Sequence, residues 1–305
     1  SLASLPAAVR AQGAKLPRIG FLYAANPEPI LGEMRKELRR LGHVDGLTAI
    51  FEVRSAMGQP DRLPALAAEF VRLEVDVIVT TQTPTVHAAR AATSTIPIVM
   101  SAGDPVRTGL VASLSRPGGN ITGMAGTTGE LASKLVALLR EAFPGAGAGV
   151  LANAGDPFTV PFLELLDHAQ RATGVSLHVE RVPESDDYRA AFAAFERQGV
   201  RALIVQPSMR RARAIGLANE RRIATASPWF SFAAEGGVLA YAASRREINR
   251  RLAEYIDRIL KGAKPADLPV QQPTEYALTV NLKAARALGF EIPLSILVRA
   301  DDLIE

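Results

Sequence analysis

Two short stretches place small polar groups directly after apolar runs. Ser101, Ala102, Gly103 and Asp104 follow Ile96 to Met100, and Thr81, Gln82 and Thr83 follow Val75 to Thr80. Hydroxyls beside the free N–H groups of a helix start suit a carboxylate, and Asp104 suits an ammonium or hydroxyl. The competing role for these groups is helix capping, and Asp104 before Pro105 is a good N-cap. Ala24, Ala25 and Asn26 close the first strand in the same manner. In the second half the corresponding strand ends are Asn153 to Phe158, Gln206-Pro207-Ser208 and Pro228-Trp229-Phe230. Tyr23, Phe158, Trp229, Phe230 and Tyr241 offer walls for an aromatic or apolar solute, with core packing as the alternative. Arg107 suits an anion held by a bidentate guanidinium, or else is a solvated arginine on a first helical turn.

Catalytic patterns fail on inspection. No G-x-S-x-G elbow and no G-x-x-x-x-G-K-[ST] loop occurs, and the glycines from Gly145 to Gly149 precede their strand instead of following one. His43, His87, His168 and His178 have no ligand spacing, and there is no cysteine. Asp186 and Asp187 precede a helix, where N-capping explains them. No catalytic residue, metal site or cofactor is expected.

The elements that must position the strand-end loops alternate regularly. Arg18 to Tyr23, Gly46 to Arg54, Val75 to Thr80 and Ile96 to Met100 read as strands, with helices between them. After Met100 the spacing of Val106, Leu110, Val111 and Leu114 predicts a helix, closed by Pro117-Gly118-Gly119-Asn120. The rhythm repeats from Leu131 to Ser227, and a long amphipathic helix spans Arg245 to Leu260. Alternation of this kind implies an α/β fold of doubly wound parallel sheets in two similar lobes, with ligands at the carboxyl ends of strands.

Length and composition agree. The 305 residues suit two domains, and the hydrophobic content of 48% suffices for two cores. Net charge is +4, and the few aromatics do not interleave with a basic stripe, which argues against nucleic acid. No apolar run approaches the length of a membrane span. Val9-x-Ala11 before Gln12 suits a signal-peptidase site, with an alanine-rich tail as the alternative.

GDPVRTGLVASLSRPGGNITG, from Gly103 to Gly123, resembles the signature of the substrate-binding proteins of tryptophan/tyrosine-type ABC importers. PRIGFLY, VDVIVT, GVLAYAAS and the tail from Leu268 are similar to that family too, so the resemblance covers nearly the whole chain from Leu16. It implies a type I periplasmic binding protein: two Rossmann-like lobes joined by a three-crossing hinge, near Thr122, Tyr241 and Val270. The lobes would then be residues 16–122 plus 242–269, and 123–241 plus 270–305, after a tail or export-signal remnant at 1–15. It further implies an exported, periplasmic, monomeric protein that hands a small-molecule solute, an amino acid or aromatic carboxylate, to an ABC permease of the inner membrane. Arg107 stands where relatives often carry a small residue. A ligand-sensing module of a regulator and a two-lobed enzyme remain alternatives.

Overall fold

The computed structural model describes residues 15–126, 129–183 and 187–305. The expected signal-peptidase site at Val9 to Ala11 and the capping role of Asp186 lie outside the described residues. The first series comprises β1 (Arg18–Tyr23), α1 (Glu28–Arg40), β2 (Ile50–Ser55), α2 (Leu63–Arg72), β3 (Val77–Thr81), α3 (Thr83–Ala92), β4 (Ile98–Ala102) and β5 (Ile121–Ala125). Its strands form a parallel sheet in the order β2-β1-β3-β4-β5. β1 and β3 to β5 are buried on both faces, which explains their nearly unbroken apolar runs.

The second series comprises α4 (Gly129–Ala142), β6 (Gly147–Asn153), α5 (Thr159–Thr173), β7 (Leu177–Val182), α6 (Arg189–Arg197), β8 (Val200–Val205), α7 (Arg211–Glu220), β9 (Ala224–Ser227) and β10 (Leu239–Ala243). After it come α8 (Arg245–Leu260), β11 (Tyr276–Asn281), α9 (Leu282–Leu288), α10 (Leu294–Leu297) and β12 (Asp302–Ile304). The second sheet runs β12-β11-β10-β9-β8-β6-β7, parallel throughout except for the antiparallel pair β10 and β11.

Helix α8 returns to the first lobe. Leu252, Tyr255, Ile256 and Ile259 recur at helical spacing and pack with Ile19, Phe21, Leu31 and Met34 in one core. The chain then runs beside β5, where Gln271 donates its N–H to Gly123 O (2.9 Å) and accepts from Ala125 N–H (2.8 Å), before Tyr276 joins the second sheet. Thr122 and Tyr241 lie inside β5 and β10. The passages between lobes accordingly fall after Ala125, after Ala243, and between Gln271 and Tyr276.

Two local expectations are corrected. The stretch from Pro105 to Pro117 is a series of turns, not a helix. Leu110 and Val111 donate their N–H groups to Pro105 O (2.8 and 3.1 Å), and Gly109 has φ +70°, so the chain folds back after a single turn. Leu110 and Val111 are apolar because they seal the first core, a need that mimics helical spacing. Gly147 and Gly149 belong to β6 and do not precede it. A Cβ on Gly147 would sit 2.5 Å from Gly199 O, and one on Gly149 would sit 3.0 Å from the Phe195 ring, so close strand packing demands glycine there.

Candidate ligand-binding cleft

The carboxyl ends of β3, β4, β8 and β9 and the start of α5 meet at a cleft between the lobes, about 800 Å³ counting its open mouth. From the first lobe it is lined by Thr81, Gln82, Thr83 and Ser101. From the second it is lined by Phe158, Gln206, Trp229 and Phe230.

The polar end centres on Gln82. Its backbone sits at φ +72°, ψ 141°, a conformation that costs a side-chain-bearing residue about 1–3 kcal/mol. The Gln82 N–H holds it there by donating to Ser101 O (2.8 Å). The Gln82 side chain reaches across the cleft and donates from Nε2 to Pro207 O (3.0 Å). Helix α3 begins at the next residue, and the leading N–H groups of Thr83 and Thr85 (Pro84 has none) find no carbonyl one turn back, at a helix start where Thr83 lines the cleft with Ser101.

On the facing wall Asp156 is 6% exposed and lines the cleft. Its Oδ1 accepts from Phe158 N–H (2.8 Å), and its Oδ2 accepts from the Ser208 hydroxyl (2.6 Å) and Gln206 Nε2 (3.0 Å). Burial pushes its carboxyl above the ordinary value, against the lowering effect of those donors. A carboxylate has about four acceptor positions, so one is left for a cationic or hydroxyl donor in the cleft. Gln206 is fixed in turn: its Oε1 accepts from Asn153 N–H and Thr159 Oγ1, both at 2.9 Å.

The apolar wall is stiffened from behind. The Trp229 and Phe230 rings lie 4.7 Å apart by centroid, and the Arg211 guanidinium lies 4.8 Å from the Trp229 centroid. Glu235 holds that guanidinium at 2.7 and 3.1 Å, and Arg211 Nη1 also donates to Pro207 O (2.7 Å). Gly103 presses against the Phe158 ring from the opposite lobe.

The first turns of α8 form a further wall that sequence reasoning missed. Arg245, Ile248 and Asn249, at i, i+3 and i+4, all line the cleft. Ser244 caps the helix by accepting Glu247 N–H (3.3 Å). The Glu247 carboxylate, buried against its preference, accepts Thr274 N–H (3.0 Å), Thr274 Oγ1 (2.9 Å) and Glu275 N–H (2.9 Å). Those bonds hold it below the usual carboxylate range in spite of burial, and they tie the wall to the passage between lobes. The amphipathic pattern of Arg245 to Leu260 was the available signal, since a helix whose inward stripe begins with Ile248 must cover something at its first turn. Asp156 was also missed as an individual residue, although its loop was identified.

Other sequence candidates stand outside the lining. Tyr23 is buried in the first core and stacks on Phe21 at 6.5 Å, because the alternation of β1 points it inward. Asn26 accepts Glu28 N–H (3.2 Å) at the start of α1. Asp104 accepts Arg107 N–H (3.1 Å) and so closes a turn. Arg107 pairs with Glu164 on α5. Asn153 is buried behind the cleft, with Nδ2 donating to Ser208 O (3.3 Å) and Oδ1 accepting Gly155 N–H (2.9 Å). Tyr241 stacks on Tyr276 at 6.0 Å, while Ala242 and Ala243 just beyond it reach the cleft.

Two wound α/β lobes with strand ends turned toward a shared, largely apolar cleft define the periplasmic-binding-protein class. Residues 29–304 match the family model of the ABC transporter substrate binding protein, and the chain belongs to that family. It is 24% identical over 263 residues to the tyrosine-binding protein of Clostridioides difficile, covering 84% of this chain and 75% of that protein. A conserved domain protein from Vibrio cholerae superposes with TM-score 0.85 at 28% identity, over 95% of this chain and all of that one (100%). An ABC domain in complex with L-Trp from Streptococcus pneumonia superposes with TM-score 0.85 at 22% identity, over 95% and 100% of the two chains. Among the described residues no helix is long and apolar enough to cross a membrane.

Proposed function

We propose that this chain is the exported solute receptor of an ABC importer, and that it carries an amino acid with an aromatic or apolar side chain. The observation that carries the reading is the pairing within one cleft of a polar end (Thr83, Ser101, Asp156) with an aromatic wall (Phe158, Trp229, Phe230). The solute carboxylate lies at the start of α3, where helix N–H groups and hydroxyls favour an anion. Its ammonium takes the acceptor position of Asp156 that the protein leaves open. Its side chain enters between the aromatic rings, where apolar burial supplies most of the affinity. The names of two relatives, one tyrosine-binding and one solved with L-Trp, support this choice of solute.

Binding works by population shift. Contacts such as Gln82 to Pro207 and Gly103 to Phe158 join the lobes, and a solute touching both walls adds to that set only when they are close. The bending points are the passages after Ala125, after Ala243, and between Gln271 and Tyr276. The closed form then docks on the permease and releases the solute unaltered. One copy suffices, because both walls come from a single chain.

Trp229 is the single tryptophan, so its fluorescence reports the cleft directly. Titration with L-tyrosine, L-tryptophan, L-phenylalanine and aromatic acids is expected to give saturable changes, read by calorimetry where the titrant itself absorbs. Silence across the panel, or recovery of a chemically altered solute, would overturn the reading.

A further inference from the structure

The wall of the cleft formed by α8 and its neighbours presents hydrogen-bond donors that no described residue answers. Asn249 is 1% exposed and lines the cleft, yet its Nδ2 has no acceptor among the described residues. Trp229 also lines the cleft, and its buried Nε1 has none either. The two residues belong to one wall: Trp229 packs on Phe230, Phe230 lies under the Arg245 guanidinium at 5.4 Å, and Arg245 precedes Asn249 by one helical turn. Among the described residues lining the cleft Asp156 is the single carboxylate, and its bonds run to Phe158, Gln206 and Ser208. Buried donors are almost always satisfied in folded proteins, so an orphan pair facing a solute cleft points to an acceptor that arrives with the solute. A carboxylate oxygen accepts more strongly from such N–H donors than a neutral oxygen does.

We infer that Asn249 and Trp229 form a subsite for an acceptor at the far end of the solute, so that the preferred solute is an amino acid whose apolar body ends in a carboxylate or similar oxygen group. This rests on the proposed function, and it narrows the solute class from any aromatic amino acid to one with a distal acceptor. A purely hydrocarbon side chain would leave both donors dry and unpaired, a penalty that discriminates more strongly than a missing methylene.

Calorimetric titration with three probes tests it: L-phenylalanine, 4-carboxy-L-phenylalanine, and 4-isopropyl-L-phenylalanine, which matches the second in shape without the acceptor. The carboxy probe is expected to bind at least tenfold tighter than the isopropyl probe. Asn249→Leu and Trp229→Phe are each expected to cut that ratio at least fivefold, with folding checked by thermal unfolding. Equal or tighter binding of the isopropyl probe, or a ratio unchanged in both variants, would overturn the subsite while leaving the proposed function standing. Failure of all three probes to bind would overturn both.

Discussion

The guanidinium of Arg107 lies 2.6 Å from the carboxylate of Glu164, with the first residue in the loop after β4 and the second on α5 of the other lobe. Sequence reading set Arg107 against an anionic solute. The structure gives it a protein partner, and that partner sits across the interlobe gap. Both side chains are about half exposed (44% and 50%), so the pair is a surface ion pair worth about 0.2–1 kcal/mol. If the lobes close as proposed, an interaction of this size tunes the open–closed balance without dictating it.

Arg107→Ala and Glu164→Gln are each expected to weaken solute binding by about 1.4- to fivefold, the factor equivalent to that energy. The double variant should lose no more than the single ones. The effect should shrink in high salt, as exposed charges are screened. Calorimetry with the best-binding amino acid, at low and high ionic strength, provides the check.

Gly103 tests closure by shape. A Cβ there would lie 2.5 Å from Phe158 Cδ1, too close for any real contact, and the ring belongs to the opposite lobe. Gly103→Ala is expected to lower affinity tenfold or more while leaving thermal stability nearly unchanged, because the clash disappears when the lobes part. Adding Phe158→Leu should restore part of the loss. A large drop in melting temperature with unchanged affinity would show that Gly103 serves the fold of its own lobe instead.

Asp156 gives the pH dependence. Burial raises its carboxyl above the ordinary value of 3.8, so it takes up a proton at a higher pH than an exposed aspartate. An ammonium needs the ionised form. Affinity for L-phenylalanine should therefore fall as pH drops through that raised value, whereas phenylpyruvate, which lacks the amine and whose α-keto carboxyl stays ionised there, should not follow it. Asp156→Asn should cost at least tenfold for the amino acid and abolish the difference in pH profile. Calorimetry across a pH series separates these outcomes.

Asp257 gives a stability counterpart. It joins α8 to His43 Nε2 (2.9 Å) and Lys261 Nζ (2.8 Å). Burial opposes its ionisation, but the Lys261 and His43 bonds prevail and hold its carboxyl below the ordinary range. A lowered value means that the stabilisation is present above the ordinary aspartate range and is lost as pH falls through the folded-state value. Asp257→Asn is expected to cost about 1 kcal/mol near neutral pH and progressively less in acid. Denaturant unfolding at several pH values checks this.

The alternating elements were legible because each strand is a short apolar run and each helix carries a clear stripe. β1 and α8 match their sequence-read bounds residue for residue. The cleft loops were legible for a related reason, since parallel winding sends every strand's carboxyl end to one side. Side-chain direction was harder to read. Tyr23 and Thr81 both close strands of the first sheet, yet only Thr81 lines the cleft, because strand alternation and local packing decide where each side chain goes. The Pro105–Pro117 segment was misread because burying Leu110 and Val111 under a turn yields the same spacing as a helix face. Asn249 escaped notice because it lies far along the chain from the loops it faces, and only the return of α8 to the first lobe brings it there.

Small-angle scattering tests the central claim most directly. Protein stripped of solute by unfolding and refolding is compared with the same protein saturated with an amino acid that it binds. Closure of the two lobes on the solute predicts a smaller radius of gyration in the saturated sample, with the solute recovered unchanged on denaturation. An identical radius under saturating solute would contradict it.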